Sequence, residues 1–350
     1  MNSTFPDAYA PSSTRRPRNR LLVWIKRITL GLIVALVVLI IAGMIYQAVG
    51  ARSDMRRFPP PSELVDVGGY RLHINCTGPQ NSGNPTVILE TLSGGVSAYW
   101  AWIQPEISKV TRVCSYDRAG RGWSEPSRHP LTLQQTVNDL HSLLQKAETP
   151  GPYILVGHSI GGVYVRKFTA DFPGEAAGVV LVDSAHPEQF VRFPEMLAEN
   201  EAYLRMSAVF PALARIGLFR FYFAVGGEID FADLPSRKHD EVAAFWSSPE
   251  YFHSQRSEAI ASPTIYSDAH LLGSLGDMPL AVISQGFNPP SSWSELQNEL
   301  ADLSTNSLHI TVTGATHASL AFNRLHAQAT SDAILQVVEA VRTGRPLSVK

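Results

Sequence analysis

Cysteine is almost absent from this 350-residue chain, which carries only Cys76 and Cys114. Two cysteines exclude a disulfide framework and any cysteine-based zinc spacing. A single bridge is still permitted, beside the alternative that both are small buried apolar residues in predicted strands. Charge is also scarce, at 17% of residues, and nearly balanced, with 29 Lys and Arg against 31 Asp and Glu for a formal net charge of −2. No basic field is available for a nucleic-acid backbone, so nucleic acid is not an expected partner. The chain also lacks a phosphate loop, a dinucleotide fingerprint and a metal-ligand spacing, and neither cofactor nor metal is expected. No internal repeat is present.

Hydrophobic length, by contrast, is present. Residues 1–20 are rich in Pro, Ser and Arg and read as a disordered basic arm. From Ile28 to Tyr46 there are 19 residues without a charge, which at about 1.5 Å per residue span roughly 28 Å, close to a bilayer core. A buried core helix is rarely apolar on every face next to a basic flank, and the apolar region of a cleaved signal peptide is usually about 7–15 residues. The segment 21–50 is therefore expected to be a transmembrane anchor, with residues 51–62 as a Pro-containing stalk. Arg15, Arg16, Arg18, Arg20, Lys26 and Arg27 precede it, while Arg52, Arg56 and Arg57 follow with Asp54 among them. This bias predicts a single-pass membrane protein with a cytoplasmic N-terminus and the remaining chain extracytoplasmic.

Beyond the stalk, apolar strands alternate with helical patterns. Strands are predicted at Glu63–Val67, Tyr70–Cys76, Thr86–Glu90, Val110–Tyr116, Tyr153–Gly157, Val179–Asp183, Leu280–Gln285 and Leu308–Thr313. Gly68-Gly69 between the first two is a two-residue hairpin signal, so the sheet opens antiparallel. Helices over Leu133–Lys146, Ile160–Asp171 and about Ala327–Arg342 predict an α/β fold, an eight-stranded mostly parallel sheet covered on both faces. Nearly a hundred residues between Asp183 and Leu280 have helical periodicity and many aromatics but no clear strand. They predict a helical cap over 187–277 inserted into a core of 63–186 and 278–350. Within it, Phe210–Val225 is apolar, yet Pro211, Arg215 and Arg220 argue against a second span.

The sharpest local feature is Gly157-His158-Ser159-Ile160-Gly161-Gly162, directly after a strand and directly before a helix. A tight turn there lifts Ser159 above the sheet, and Gly157 and Gly161 let neighbouring backbone pass without a Cβ. The helix that follows points its N-terminal amides at the site, which favours an oxyanion. A serine hydroxyl needs an adjacent base. Of eleven histidines, His317 is the best placed, because Gly314-Ala315-Thr316-His317 follows the last strand at the same sheet edge. His158 and His186 are its nearest rivals, the first of which reads as support for the turn.

Asp117-Arg118-Ala119-Gly120-Arg121-Gly122-Trp123-Ser124 after a strand, the elbow at Ser159 and the late His317 together resemble the α/β-hydrolase superfamily, in its serine-nucleophile branch, from about residue 63 to the C-terminus. The resemblance implies a nucleophile after strand five, a histidine after strand eight and an acid after strand seven or, in some branches, six. After strand seven the chain reads Gly286-Phe287-Asn288-Pro289, with an amide that can orient a histidine but cannot balance its charge. Asp183 at the end of strand six, the acid position of haloalkane dehalogenases that use that strand, is the expected acid, with Glu295 and Asp302 as alternatives. The oxyanion hole is expected from the amides of Ile160 and, by register after strand three, Leu92, with Thr91 or Ser93 within one position.

These residues imply acyl transfer through Ser159, most simply hydrolysis of a carboxylic ester of a small molecule with an apolar portion under the cap. Amide, thioester and acyltransferase chemistry use the same machinery. An iminopeptidase would instead read a substrate amine with cap acids such as Glu195, Glu199 and Glu201, and a non-catalytic binding protein on the same fold is the rival from another class. Oligomeric state is not legible.

Overall fold

A computed structural model of the chain describes residues 20–80, 84–227 and 233–347. The expected basic arm, apart from Arg20, lies outside the described residues.

The chain first forms one helix, Arg20–Arg57, with a mean hydropathy of 3.0 over its most apolar 18 residues. By length and composition this helix can cross a membrane. It also runs seven residues beyond the expected anchor, taking Ala51–Arg57 out of the expected stalk. Nothing between Gly50 and Pro59 breaks a helix, and the later turns find partners: Arg57 bonds Asp240 at 2.5 Å and Asp54 bonds Arg220 at 2.7 Å. Pro59-Pro60-Pro61 then ends it, because proline cannot donate to the ladder and restricts the residue before it.

Eight strands follow: β1 Glu63–Asp66, β2 Arg71–Thr77, β3 Thr86–Glu90, β4 Val113–Tyr116, β5 Tyr153–His158, β6 Ala176–Val182, β7 Leu280–Gln285 and β8 Ser307–Val312. They form one sheet in the order β1-β2-β4-β3-β5-β6-β7-β8. The pairs β1/β2 and β2/β4 are antiparallel and all others parallel. At the β1–β2 turn Gly68 and Gly69 take φ of 135° and 97°, and both amides donate to Asp66 Oδ1 at 2.8 Å.

The central strands are buried on both faces, as parallel strands between helical layers must be. Along β5, Leu155 packs with Leu140 and Phe168 on one face, while Ile154 and Val156 pack with Ile334 and Val337 on the other. The helices Leu133–Lys146 and Gly161–Asp171 cover the first face and Arg324–Thr343 the second. Between β6 and β7 the described residues form helices and no strand: Gln189–Arg192, Pro194–Met206, Phe210–Arg215, Leu218–Ala224, Ser236–Trp246 and Pro249–Ala269, with a short 3-10 turn at Ser207–Val209 and an isolated β-bridge from Gly276 to Ser304.

The two cysteines are bonded to each other. They stand opposite one another in the antiparallel β2/β4 pair, so the register itself brings them together. Of the two readings of the cysteines, the structure has the bridge.

Candidate active site

Strand β5 ends at His158 and the next helix begins at Gly161, leaving Ser159 and Ile160 to make the turn. Ser159 takes φ of 57°, a left-handed backbone that L-residues adopt only when their surroundings impose it. Its amide donates to the Val182 carbonyl at 3.1 Å, and its own carbonyl accepts from Gly162 and Ala185 at 3.0 and 2.9 Å. The glycines are sterically required. A Cβ on Gly157 would lie 2.5 Å from the Gly161 carbonyl oxygen, and one on Gly161 would lie 2.8 Å from those of Glu90 and Thr91. Gly162 is tighter still, with a hypothetical Cβ 1.9 Å from Ser184 Oγ.

Asp183 follows β6 and is fully buried, with φ of 40°. Its Oδ2 accepts from His317 Nδ1 at 2.6 Å, while Oδ1 accepts from Trp293 Nε1 at 2.9 Å and the Gln285 amide at 3.1 Å. Burial disfavours the charged carboxylate, but the bonds from His317, Trp293 and Gln285 outweigh it and hold the acid below its ordinary range. His317 is fixed through its backbone as well: its amide donates to Gln285 Oε1 at 3.0 Å and its carbonyl accepts from His158 Nε2 at 3.0 Å. His158 is buried, and burial followed by the nearby His317 lowers it to about 3. It is thus neutral at pH 7, its one proton on Nε2, and it braces the backbone of the other histidine. The Ser159 hydroxyl makes no hydrogen bond among the described residues.

Of the other candidates, Glu295 and Asp302 are exposed, as is Asn288. His186 accepts from the Glu188 amide through Nδ1 at 3.1 Å and faces Glu299 through Nε2 at 3.4 Å, so it is engaged elsewhere. Glu195, Glu199 and Glu201 are exposed on the cap.

The loop after β3 is held by a buried ionic cluster that the sequence reading missed. Arg118 donates to the carbonyls of Thr91 and Leu92, both at 2.8 Å, and pairs with Glu90. Glu258, on the cap helix Pro249–Ala269, bonds Arg118 at 2.8 Å and Arg121 at 3.0 Å. It also accepts from Ser93 Oγ at 2.8 Å and the Gly94 amide at 2.9 Å. Burial alone would raise the Glu258 carboxyl, but the two guanidiniums and these donors hold it down, to about 2. With the Gly94 and Gly95 amides committed, those of Leu92, Ser93 and Ile160 donate to nothing among the described residues. The sequence did contain half of this signal: two arginines in a motif next to a buried strand demand acids. It did not say which acid.

A profile of the "Alpha/beta hydrolase family" matches residues 91–333. The chain belongs to the alpha/beta hydrolase family. An uncharacterized protein of Schizosaccharomyces pombe is 26% identical over 294 residues, 73% of this chain and 52% of that protein. An uncharacterized vacuolar membrane protein of Saccharomyces cerevisiae is 30% identical over 138 residues, 35% of this chain and 21% of that protein. The chain thus spans about half the length, or less, of these curated relatives. Among solved structures, the enol-lactonase of Burkholderia xenovorans LB400 has a TM-score of 0.56 at 20% identity, covering 79% of this chain and all of that one. The epoxide hydrolase CorEH has a TM-score of 0.62 at 16% identity, covering 80% of this chain and 98% of that one. Both likenesses are of fold.

Elsewhere in this alpha/beta hydrolase, His186, Glu188 and Glu299 place ligand atoms within 4.8 Å of one another. Arg192 already occupies the carboxylates, bidentate on Glu299 at 2.7 and 2.9 Å and on Glu188 at 2.7 Å. An apolar cleft of about 710 Å³ lies in the cap, lined by Phe219, Phe221, Trp246, Tyr251 and Gln255 among others. Its inner end abuts the loop after β3: a Cβ on Gly94 would lie 2.3 Å from Gln255 Oε1 and 3.0 Å from the Tyr251 hydroxyl.

Proposed function

We propose that the protein is a membrane-anchored serine hydrolase that cleaves a carboxylic ester through an acyl-enzyme on Ser159. The observation that carries this reading is the 2.6 Å bond between His317 Nδ1 and the buried Asp183 carboxylate, beside a strand-to-helix elbow that presents Ser159. With its Nδ1 proton committed to Asp183, the imidazole keeps Nε2 free as the base. Nε2 takes the Ser159 proton as the oxygen attacks the ester carbon, then returns it to the leaving alkoxide. Asp183 balances the imidazolium that forms. The oxyanion is met by the amides of Ile160 and Leu92, each such donor being worth about 2.7–4 kcal/mol at the transition state. Water, activated by the same histidine, then releases the acid. The serine–histidine hydrogen bond forms when substrate settles the serine rotamer, a common feature of ligand-free sites.

The helix Arg20–Arg57 spans the bilayer through residues 28–46, with the N-terminus cytoplasmic and the hydrolase domain extracytoplasmic. Two observations favour that side: the basic excess before the helix and the bond between Cys76 and Cys114, which persists in oxidising compartments. The substrate is a small acyl ester with an apolar part.

The test is labelling of the full-length protein with a fluorophosphonate probe. Label should appear on wild type and vanish in Ser159→Ala, and folded wild type that stays unlabelled refutes the reading.

A further inference from the structure

The long helix does not stand apart from the cap. Gln47 is its one buried residue, with Nε2 donating to the Ser247 carbonyl at 2.9 Å and Oε1 accepting from Arg220 Nε at 2.9 Å. Gly43, Gln47, Gly50 and Asp54 lie along one helix face. A Cβ on Gly43 would sit 2.3 Å from the Ile216 carbonyl oxygen, and one on Gly50 would sit 2.5 Å from Arg220 Nε. Gly217, with φ of 75°, packs against Tyr46, where a Cβ would be 2.9 Å from the ring. The turn between the cap helices Phe210–Arg215 and Leu218–Ala224 is thus docked on the helix at Gly43.

That contact fixes the depth of the turn. Tyr46 is the aromatic residue that ends the charge-free stretch 28–46, a stretch of roughly 28 Å against a hydrocarbon core of about 30 Å, and so stands at the outer interface, where aromatic belts lie. Gly43 lies three residues inside Tyr46, about 4–5 Å below the interface. The Ile216–Gly217 turn docked there is therefore below it too, and the helix Leu218–Ala224 rises from that depth.

The exposed chemistry of this segment agrees. Leu218, Phe221 and Val225 are 48%, 57% and 64% exposed, an apolar surface that water does not favour. The charge of the helix, Arg220, is turned inward and paired with Asp54 at 2.7 Å. Arg215, exposed at the turn, has the length to reach lipid phosphates. The same residues, Leu218, Phe221 and Val225, form the outer rim of the apolar cleft whose inner end meets the Gly94 loop.

We propose that the cap turn and the helix Leu218–Ala224 are seated in the bilayer that the long helix spans, and that the cap cleft opens into lipid. The substrate is then a membrane-resident acyl lipid whose chain enters through the cleft without crossing water. This substrate assignment rests on the ester-hydrolase reading above, whereas the seating does not.

The test uses the full-length protein in phosphatidylcholine vesicles. Phe221→Trp adds an indole at the rim, and its emission over wild type should be quenched at least twofold by brominated phosphatidylcholine and little by aqueous acrylamide. Quenching by acrylamide and not by brominated lipid overturns the seating. In the same vesicles the wild type should turn over dioleoylglycerol in the bilayer with kcat/KM at least tenfold above that for dibutyrylglycerol in solution, and an equal or reversed preference overturns the substrate class. Fluorophosphonate labelling of Ser159 separates the two ideas. Labelled protein with acrylamide quenching sinks only the seating, and unlabelled protein with lipid quenching sinks only the hydrolase reading.

Discussion

Replacing Asp183 by asparagine is the most demanding test of the proposed acid, because the surroundings dictate which way the new amide points. Oδ1 of Asp183 receives two donors that cannot accept, Trp293 Nε1–H at 2.9 Å and the Gln285 N–H at 3.1 Å. In Asp183→Asn the side-chain oxygen must stay there, since an NH2 group in that place would leave two buried donors facing a third. The NH2 group is thereby turned toward His317 Nδ1, where the carboxylate accepts at 2.6 Å. Nδ1 must now accept, its proton moves to Nε2, and the imidazole presents a donor to Ser159 where it needs an acceptor. The fold should survive, because the hydrogen bonds are conserved in number. The reaction should not: the same substitution in a serine triad lowers kcat by about 10⁴, equivalent to about 5.4 kcal/mol at about 1.36 kcal/mol per decade. The assay is kcat on a chromogenic ester, alongside the rate of fluorophosphonate labelling and a thermal melt. A folded variant that retains more than a tenth of wild-type kcat and labels at the normal rate would refute Asp183 as the acid.

Three further outcomes are expected. Glu258→Ala leaves Arg121 buried without a carboxylate and Arg118 with Glu90 alone and should destabilise the detergent-solubilised protein by about 3–5 kcal/mol in urea unfolding, with a shift below about 1 kcal/mol counting against the cluster. Cys76→Ser with Cys114→Ser opens a bridge between positions 38 residues apart and should cost about 2–4 kcal/mol; a wild type whose gel mobility ignores reductant contradicts the bond itself. Acid should weaken the fold in a defined window, because His158 is lowered from an ordinary 6.5 to about 3 and Glu258 from 4.5 to about 2. For both, the unfolded chain takes up the proton first, so His158 contributes fully above about pH 6.5 and Glu258 above about pH 4.5, and each contribution fades as pH falls toward the folded value. Unfolding free energy measured from pH 7 to pH 4 should fall in wild type and fall less in His158→Gln, and parallel curves would contradict the assignment.

The elements that sequence places best are those whose limits are set locally. Strands β3 and β7 fall where the apolar runs predict, and so does the helix Leu133–Lys146, whose cap is Thr132 accepting from the Gln135 amide. The expected strand over Val110–Tyr116 begins three residues late, because Val110 and Thr111 bond back to Ile107 and finish the preceding turn. Strand β6 begins three residues early, at Ala176-Ala177-Gly178. Those small residues have little strand propensity, and their place is decided by the helix packed on the sheet, where a Cβ on Gly178 would lie 2.6 Å from Val337. The helix that outruns its expected end at residue 50 does so through contacts with Arg220 and Asp240, partners far along the chain that no local window contains.

The same division runs through the site. Ser159, Gly157 and Gly161 are legible because the elbow is a local steric problem, and His317 is legible because it follows the last strand. The contact between Asp183 and His317 needed a judgement between two loops, and the donors that hold the carboxylate there, Trp293 Nε1 and the Gln285 amide, come from beyond the cap. Glu258 was not legible at all: it stands 140 residues from Arg118, on a helix where it reads as one acid among many. Yet it is the carboxylate through which the cap bonds both the arginine motif and the loop after β3. A cap joined to that loop by a buried carboxylate is not a detachable lid, since moving it away would leave Arg121 and the Gly94 amide without their acceptor and Arg118 without one of its two carboxylates. The cap is therefore expected to stay closed on the sheet, which is the arrangement that entry through the cap's own apolar cleft, as proposed above, requires.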